Sequence, residues 1–98
     1  MNLTFATDHL AKLASGENVR SKLAAAVVRA YRARIAQVIA AEDERDLRAD
    51  YGAHFELLKA DRAGQYSMRL NSQFRVVFQI RKGTPKNTIH ILEICDYH

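Results

Sequence analysis

The side chains best suited to chemistry gather near the C-terminal end. His90, Cys95, Asp96 and His98 fall within nine residues, a donor set that raises the question of zinc. A structural zinc site needs four Cys or His ligands at spacings such as C-x-x-C or H-x-x-x-H. Neither spacing occurs in this chain, so we expect no metal and no cofactor. Cys95 alternates with core positions and reads as a small buried hydrophobe. As a nucleophile paired with histidine it would lack a third group to orient it. The four glycines are isolated, which excludes phosphate loops and dinucleotide fingerprints. His9 on a first helical turn and His90 on a strand face carry no signal. His54, beside Phe55, reads as structural or solvent-exposed.

The cations say more. The net charge is +4, and it is segregated along the chain. Residues 1–17 carry −1, residues 18–41 carry +5 with no acid, and residues 42–56 carry −4. Residues 57–86 carry +6, with Asp61 as the lone acid, and the last twelve carry −2. A basic balance implies an anionic partner, although charge runs more often form solvated faces, here two basic ones divided by an acidic loop.

The elements that must position these groups fit one domain spanning residues 1–98. A hydrophobic fraction of 48% and a charged fraction of 27% describe an ordinary globular chain with one modest core. No apolar run approaches the ~18 residues of a membrane span, and the N-terminus lacks a signal-peptide pattern, so no membrane role is expected. A single cysteine excludes an internal disulfide framework and makes the cytoplasm the default compartment.

Asn2 to Ala6 suits a short edge strand. Thr7 or Asp8 can cap a short helix through Leu13 that Gly16 stops. From about Val19 to Ala41, the residues Leu23, Val27, Tyr31, Ile35, Val38 and Ile39 recur at helical spacing, with Arg29 and Arg32 on the opposite side. After Gly52 the period changes to two. Tyr66, Met68 and Leu70 alternate with polar residues, as do Val76, Phe78 and Ile80. Ile89 to Cys95 is apolar almost throughout, as in a strand covered on both faces. Two helices followed by an antiparallel meander make an α+β domain.

The first hairpin allows its register to be read. Both strands place apolar residues at even numbers, so even must oppose even. A three-residue loop centred on Ser72 then pairs Met68 with Val76, Tyr66 with Phe78, and Arg69 with Arg75. Like charges directly opposite destabilise a sheet, so an acidic neighbour, splayed rotamers or a bound anion should compensate. In the second hairpin, which turns near Thr84-Pro85, pairing Phe78 with Ile91 would set Arg75 against Ile94. His90, Asp96 and His98 would then share the face of Arg75.

The segment Leu58–Phe78, LKADRAGQYSMRLNSQFRVVF, with the terminal Asp96-Tyr97-His98, resembles the HigB group of RelE-like toxins. In that group the hairpin typically reads L-K-G-x-R-x-G-x-W/Y-S-I-R-x-N-x-Q-W/Y-R-x-x-F and the chain ends D-Y-H. Leu58, Lys59, Arg62, Gly64, Tyr66, Ser67, Arg69, Asn71, Gln73, Phe74, Arg75 and Phe78 meet the pattern. The resemblance is close over about the C-terminal 45 residues. It implies a RelE-like fold, with two N-terminal helices on a small, mostly antiparallel sheet. It also implies the toxin of a type II toxin–antitoxin system, an endoribonuclease that cuts messenger RNA on the ribosome. A cognate helix-turn-helix antitoxin, HigA-like, would neutralise it, and DNA would be met only through the antitoxin complex.

Under that resemblance the residues take roles. Ribose 2′-OH attack on its own 3′ phosphate needs a base, an acid and cations for the phosphorane. Arg75 would clamp the phosphorane with its guanidinium fork. His98 titrates near neutrality and would act as acid or base, with Asp96 to orient it and Tyr97 to stack or position. Lys59 would stabilise charge or move a proton. Arg62, Arg69, Arg81 and Lys82 would contact the RNA backbone. Two departures stand out: Ala60 replaces a common glycine, implying a different turn, and Glu56 replaces a histidine found in some members. No catalytic role passes to His54, while Glu56 becomes a candidate for a salt bridge or a base. The alternatives are a non-catalytic RNA- or ribosome-binding module and an interaction protein that docks an acidic partner.

Overall fold

The computed structural model describes residues 1–17 and 19–96. In chain order these form β1 (Asn2–Phe5), α1 (Asp8–Ser15), α2 (Ala25–Ala40), α3 (Glu44–Arg48), β2 (Glu56–Leu57), β3 (Tyr66–Arg69), β4 (Phe74–Arg81) and β5 (Thr88–Asp96). Single 3-10 turns lie at Tyr51–Ala53 and Ala60–Arg62. The sheet order is β1-β5-β4-β3-β2, with β1 parallel to β5 and every other pair antiparallel. The helices cover one face. There Phe78, Val76, Met68, Ile89 and Ile91 form a buried core with Tyr31, Ile35, Val38 and Leu47.

The first helix is bounded as its sequence predicts. The Thr7 hydroxyl accepts from the Leu10 N–H at 3.2 Å, and Gly16 ends the helix at φ +85°. The second helix starts later than its periodicity predicts. Ala24 is extended, and the Ser21 hydroxyl accepts from the Leu23 N–H at 3.1 Å, a local bond that competes with helix. Leu23 still rests on the core, whereas Ile39 is exposed because Val38 occupies the inward position of that turn. At the other end of α2 the Met1 ammonium donates to the carbonyls of Val38 and Ala41, a cation at a helix C-terminus.

The acidic stretch is not a plain loop. Asp43 caps α3 by accepting from the Arg45 N–H at 2.9 Å, and Leu47 anchors the helix in the core. Asp50 then ties this region to α2. It accepts from Arg34 Nη1 at 3.0 Å and Gln37 Nε2 at 3.1 Å. Burial works against its charge, but these hydrogen bonds outweigh it and lower its pKa. The Arg45 side chain lowers Asp43, and Glu44 is lowered by a backbone N–H and then by Lys82.

These depressed carboxylates predict an acid-sensitive fold. Their folded pKa values lie below the unfolded ones, so the unfolded chain takes up protons first as pH falls. The stabilisation is complete above about pH 4 and is lost as pH drops through the folded values. Melting temperature should therefore be flat from neutrality to about pH 5 and decline below about pH 4. Asp50→Asn should lower the plateau and flatten the decline.

Candidate active site

The face of the sheet turned away from the helices is set by strand register. Met68 pairs with Val76, Tyr66 with Phe78, and Arg69 with Arg75, as the alternating pattern predicts. The Asn71 side chain fixes the loop by accepting from the backbone N–H groups of Gln73 at 2.8 Å and Phe74 at 2.7 Å.

The β4–β5 register begins as expected, with Ile80 against Ile89 and Phe78 against Ile91. It then shifts. Val77 opposes Glu93, so Leu92 is an extra residue and β5 carries a bulge. Arg75 consequently opposes Cys95, not Ile94, and Asp96 opposes Phe74. The face of Arg75 therefore carries His90, Glu93 and Cys95 rather than His90 and Asp96. Cys95 is half-buried opposite an arginine, not sealed in the core. Asp96 is exposed at the strand end, where its carboxylate accepts from Gln73 Nε2 at 3.2 Å. Tyr97 and His98 lie outside the described residues.

Of the opposed arginines, Arg69 is held within its own hairpin. Arg69 turns back along the hairpin and donates from Nε to the Asn71 carbonyl at 3.0 Å. Its own carbonyl accepts from Arg34 Nε at 3.0 Å, which fastens the hairpin to α2. Arg75 is half-buried, with its Nε shielded from solvent.

The loop between β2 and β3 lies across this face. The Leu58 N–H donates to the Gln65 carbonyl at 2.9 Å and closes the loop. From it Arg62 reaches two strands further, to Glu93 on β5, at 2.8 Å. Gln65 Oε1 holds the same guanidinium at 3.1 Å. Ser67 and Val77, whose pairing places them on the helix-free face alongside Glu93, are buried to 1% and 0% exposure. A strap across them accounts for that burial. The hydrogen bond and charge of Glu93 raise the pKa of Arg62, so this cation is already engaged. Sequence reasoning missed Glu93, although a lone carboxylate inside an apolar strand was the available signal.

Lys59 is exposed at the start of the loop's 3-10 turn. At the position of the missing glycine, Ala60 adopts φ +59°, the left-handed region that glycine enters freely. An L-residue in this region is strained by roughly 1–2 kcal/mol. Ala60→Gly should therefore stabilise the fold by about 0.5–1 kcal/mol after the greater freedom of glycine in the unfolded chain is counted. A rise of several degrees in melting temperature checks this.

The remaining cations are not brought to Arg75. Arg81 shares its face but lies six residues along β4, about 20 Å away. Lys82 pairs with Glu44 at 3.0 Å, and Asn87 donates to the same carboxylate at 3.1 Å. Near Arg81, the His90 Nδ1 and Thr4 hydroxyl lie 2.7 Å apart. Burial, then the charge of Arg81, depresses the histidine's pKa. His54 is exposed at φ +47°, beside a cleft lined by Arg48, Tyr51 and Glu56. Among the described residues, no group of three His, Cys, Asp or Glu side chains could hold a metal ion. No helix among them is long and apolar enough to cross a membrane.

The face can therefore present a half-buried guanidinium, a second arginine and a strapped cationic loop to a phosphate. Comparison with known proteins gives this arrangement a context. A family model described as the RelE-like toxin HigB of a type II toxin–antitoxin system matches residues 3–98. Among solved structures, a YoeB/ParE toxin from Agrobacterium tumefaciens is similar, with a TM-score of 0.58 at 17% identity. The alignment covers 100% of each chain, and at that identity it speaks for the fold. No curated protein sequence matches.

Proposed function

The chain belongs to the HigB-like family of RelE-like type II toxins, and from that premise we propose that it is a ribosome-dependent endoribonuclease cutting translated messenger RNA in the cytoplasm. The observation that carries this reading is the Arg69–Arg75 pair on the helix-free face, at the end of the sheet where β5 leads into the C-terminal Asp96-Tyr97-His98. A sheet gains nothing in stability from opposed arginines; a phosphate gains two cations.

The substrate supplies its own nucleophile. A ribose 2′-OH loses its proton to a base and attacks the adjacent phosphorus, and the P–O5′ bond breaks as an acid protonates the departing oxygen. A 2′,3′-cyclic phosphate and a 5′-hydroxyl result, with no water consumed and no metal required by the balance. Arg75 would hold the non-bridging oxygens, on which charge builds in the phosphorane. His98 would exchange a proton, aligned by Asp96, and Tyr97 would position or stack the nucleotide. Lys59 would approach from the strap loop as a second source of charge or of a proton. Arg69 contacts the backbone, and Arg62 does so by exchanging Glu93 for phosphate. Arg81, at the far end of the face, is left for a flanking phosphate. Lys82, paired with Glu44, contributes least. A helix-turn-helix antitoxin of HigA type neutralises the toxin, and DNA is met through that complex.

Induction of wild type, Arg75→Ala and a His98 deletion, followed by primer extension on cellular transcripts, tests the reading. Wild type should arrest growth and leave new 5′ ends within translated regions, and both variants should do neither. Equal arrest and cutting by all three would sink the site. Ribosome binding that weakens steeply with salt while transcripts stay intact would favour a non-catalytic RNA-binding module.

A further inference from the structure

One turn of the chain holds an aromatic ring out in water. Tyr51 is 91% exposed, against 60% for Ile39 and 57% for Leu57, the other exposed large apolar side chains among the described residues. The backbone that carries it is tied down on both sides. Before it, Asp50 accepts from Arg34 and Gln37 of α2 and, at 2.9 Å, from the Gly52 N–H. After it, Ala53 is fully buried, and the His54 N–H returns to the Tyr51 carbonyl at 3.3 Å as the chain passes through φ +47°. An exposed ring adds little burial to the fold, and an L-residue at positive φ costs it strain. A backbone restrained in this way presents Tyr51 instead of burying it.

Tyr51 lines a cleft of about 580 Å3 together with Arg48, Asp50, His54, Phe55 and Glu56, a volume within the range of small-ligand sites. An aromatic stack supports it from the core. The Phe55 ring lies 5.7 Å from that of Phe78 and 5.4 Å from that of Tyr66. On Phe55 rests the Arg48 guanidinium, 4.6 Å from the ring centroid. Stacking occupies one face of that cation. Arg48 is otherwise exposed and makes no ion pair among the described residues. Glu56 connects the cleft to the face of the arginine pair. It lies on β2, the last strand of the sheet, and pairs with Ser67, so it shares the helix-free face with Arg69 and Arg75. Two strand spacings, about 10 Å, separate β2 from β4. An RNA strand that leaves Arg75 across this short edge strand arrives at Tyr51.

We propose that this cleft is a nucleotide subsite beside the cleavage site, where one unpaired base of the RNA stacks on Tyr51 and its phosphate meets Arg48. Splayed RNA bases are held on aromatic rings and on guanidinium planes, and the cleft offers both. Every base has a π-face, so such a platform accepts any of them and contributes affinity without reading sequence. The carboxylates fix the orientation. Asp50 is matched by Arg34, whereas Glu56 repels phosphate, so the base lies against Glu56 and the phosphate stays with Arg48. A protein partner fits less well, because the core of a protein interface is depleted of charged residues and three charged side chains line this cleft. The inference rests on the reading of the chain as a toxin that cuts RNA, and it adds a binding residue remote from the reacting phosphate.

Two measurements on the full-length chain test the subsite. On ribosomes programmed with a messenger, Tyr51→Ala should raise KM roughly 5- to 100-fold with kcat little changed, the loss expected for one stacked base. Tyr51→Phe keeps the ring and should keep most of the affinity. The chain contains no tryptophan, so Tyr51→Trp places a single reporter in the cleft. Its emission should be quenched saturably by a short single-stranded oligoribonucleotide, and Arg48→Ala should weaken that quenching several-fold. An unchanged KM for Tyr51→Ala, equal losses for Tyr51→Ala and Tyr51→Phe, or a tryptophan indifferent to the oligonucleotide would overturn the proposal. So would a Tyr51→Ala variant that loses antitoxin binding while its KM on ribosomes is unchanged, because the cleft would then belong to a protein. Wild type that cuts no transcript, with the tryptophan still quenched, would sink the ribonuclease reading and leave the subsite standing.

Discussion

Replacing Arg75 with alanine should lower messenger cleavage on translating ribosomes by about 10²–10³-fold without unfolding the protein. The two halves of this expectation come from different parts of the structure. A guanidinium aimed at charge that develops only in the phosphorane acts on the rate and hardly on substrate binding, so the loss should fall in kcat and leave KM nearly unchanged. Stability should barely move, for a reason peculiar to this position. Arg75 sits directly opposite Arg69, so its removal deletes a repulsion of about 0.2–1 kcal/mol while sacrificing the packing of its stem and the contacts of its guanidinium. These terms oppose each other. Arg75→Lys should recover part of the rate, because charge is kept and the fork is lost. Arg69→Ala should behave differently: weaker ribosome binding with a shallower salt dependence, and a nearly intact rate once bound. A variant at Arg75 that cuts at the wild-type rate and matches its melting curve would remove the arginine from the chemistry.

The pairing of Arg69 with Arg75 is legible in the sequence because the first hairpin constrains itself. Apolar residues at even positions on both strands, separated by a loop that Asn71 closes with its own side chain, leave one register open. The second hairpin offered no such check. A strand apolar at almost every residue has no parity to violate, so the bulge at Leu92 was invisible and Asp96 was assigned to the wrong side of the pleat. The late start of α2 was hidden for a related reason: Leu23 continues the stripe and reaches the core, but from a bend ahead of the helix. Charge misled at α3, where an acidic stretch concealed a capping aspartate and a single buried leucine. The strap lay beyond sequence reasoning because Arg62 and Glu93 are 31 residues apart and meet only through the folded sheet. A hairpin with alternating residues on both strands was readable; a strand without alternation, and a pairing between a loop and a distant strand, were not.

The second large effect belongs to the core beneath the site. Phe78→Ala should destabilise the protein by about 3–5 kcal/mol, a large share of the roughly 5–15 kcal/mol available to a domain of this kind. Phe78 is fully buried, with its ring 5.7 Å from that of Phe55 in an edge contact and 6.1 Å from that of Tyr66 in a stacked one. It pairs with Ile91 on one side and Tyr66 on the other, immediately before β5 takes in its extra residue. Truncation leaves a void where three strands and the helix layer meet, and the neighbouring rings can refill only part of it. Urea denaturation should show a lower midpoint at an unchanged slope, and Phe78→Leu should cost much less, on the order of 1–2 kcal/mol. The consequence for activity differs in kind from that at Arg75. Loss of Phe78 removes folded molecules and slackens the register that sets Val77 against Glu93, so its activity should return on cooling toward the temperature of maximum stability. Loss of Arg75 removes a charge from the reacting phosphate, and no temperature restores it.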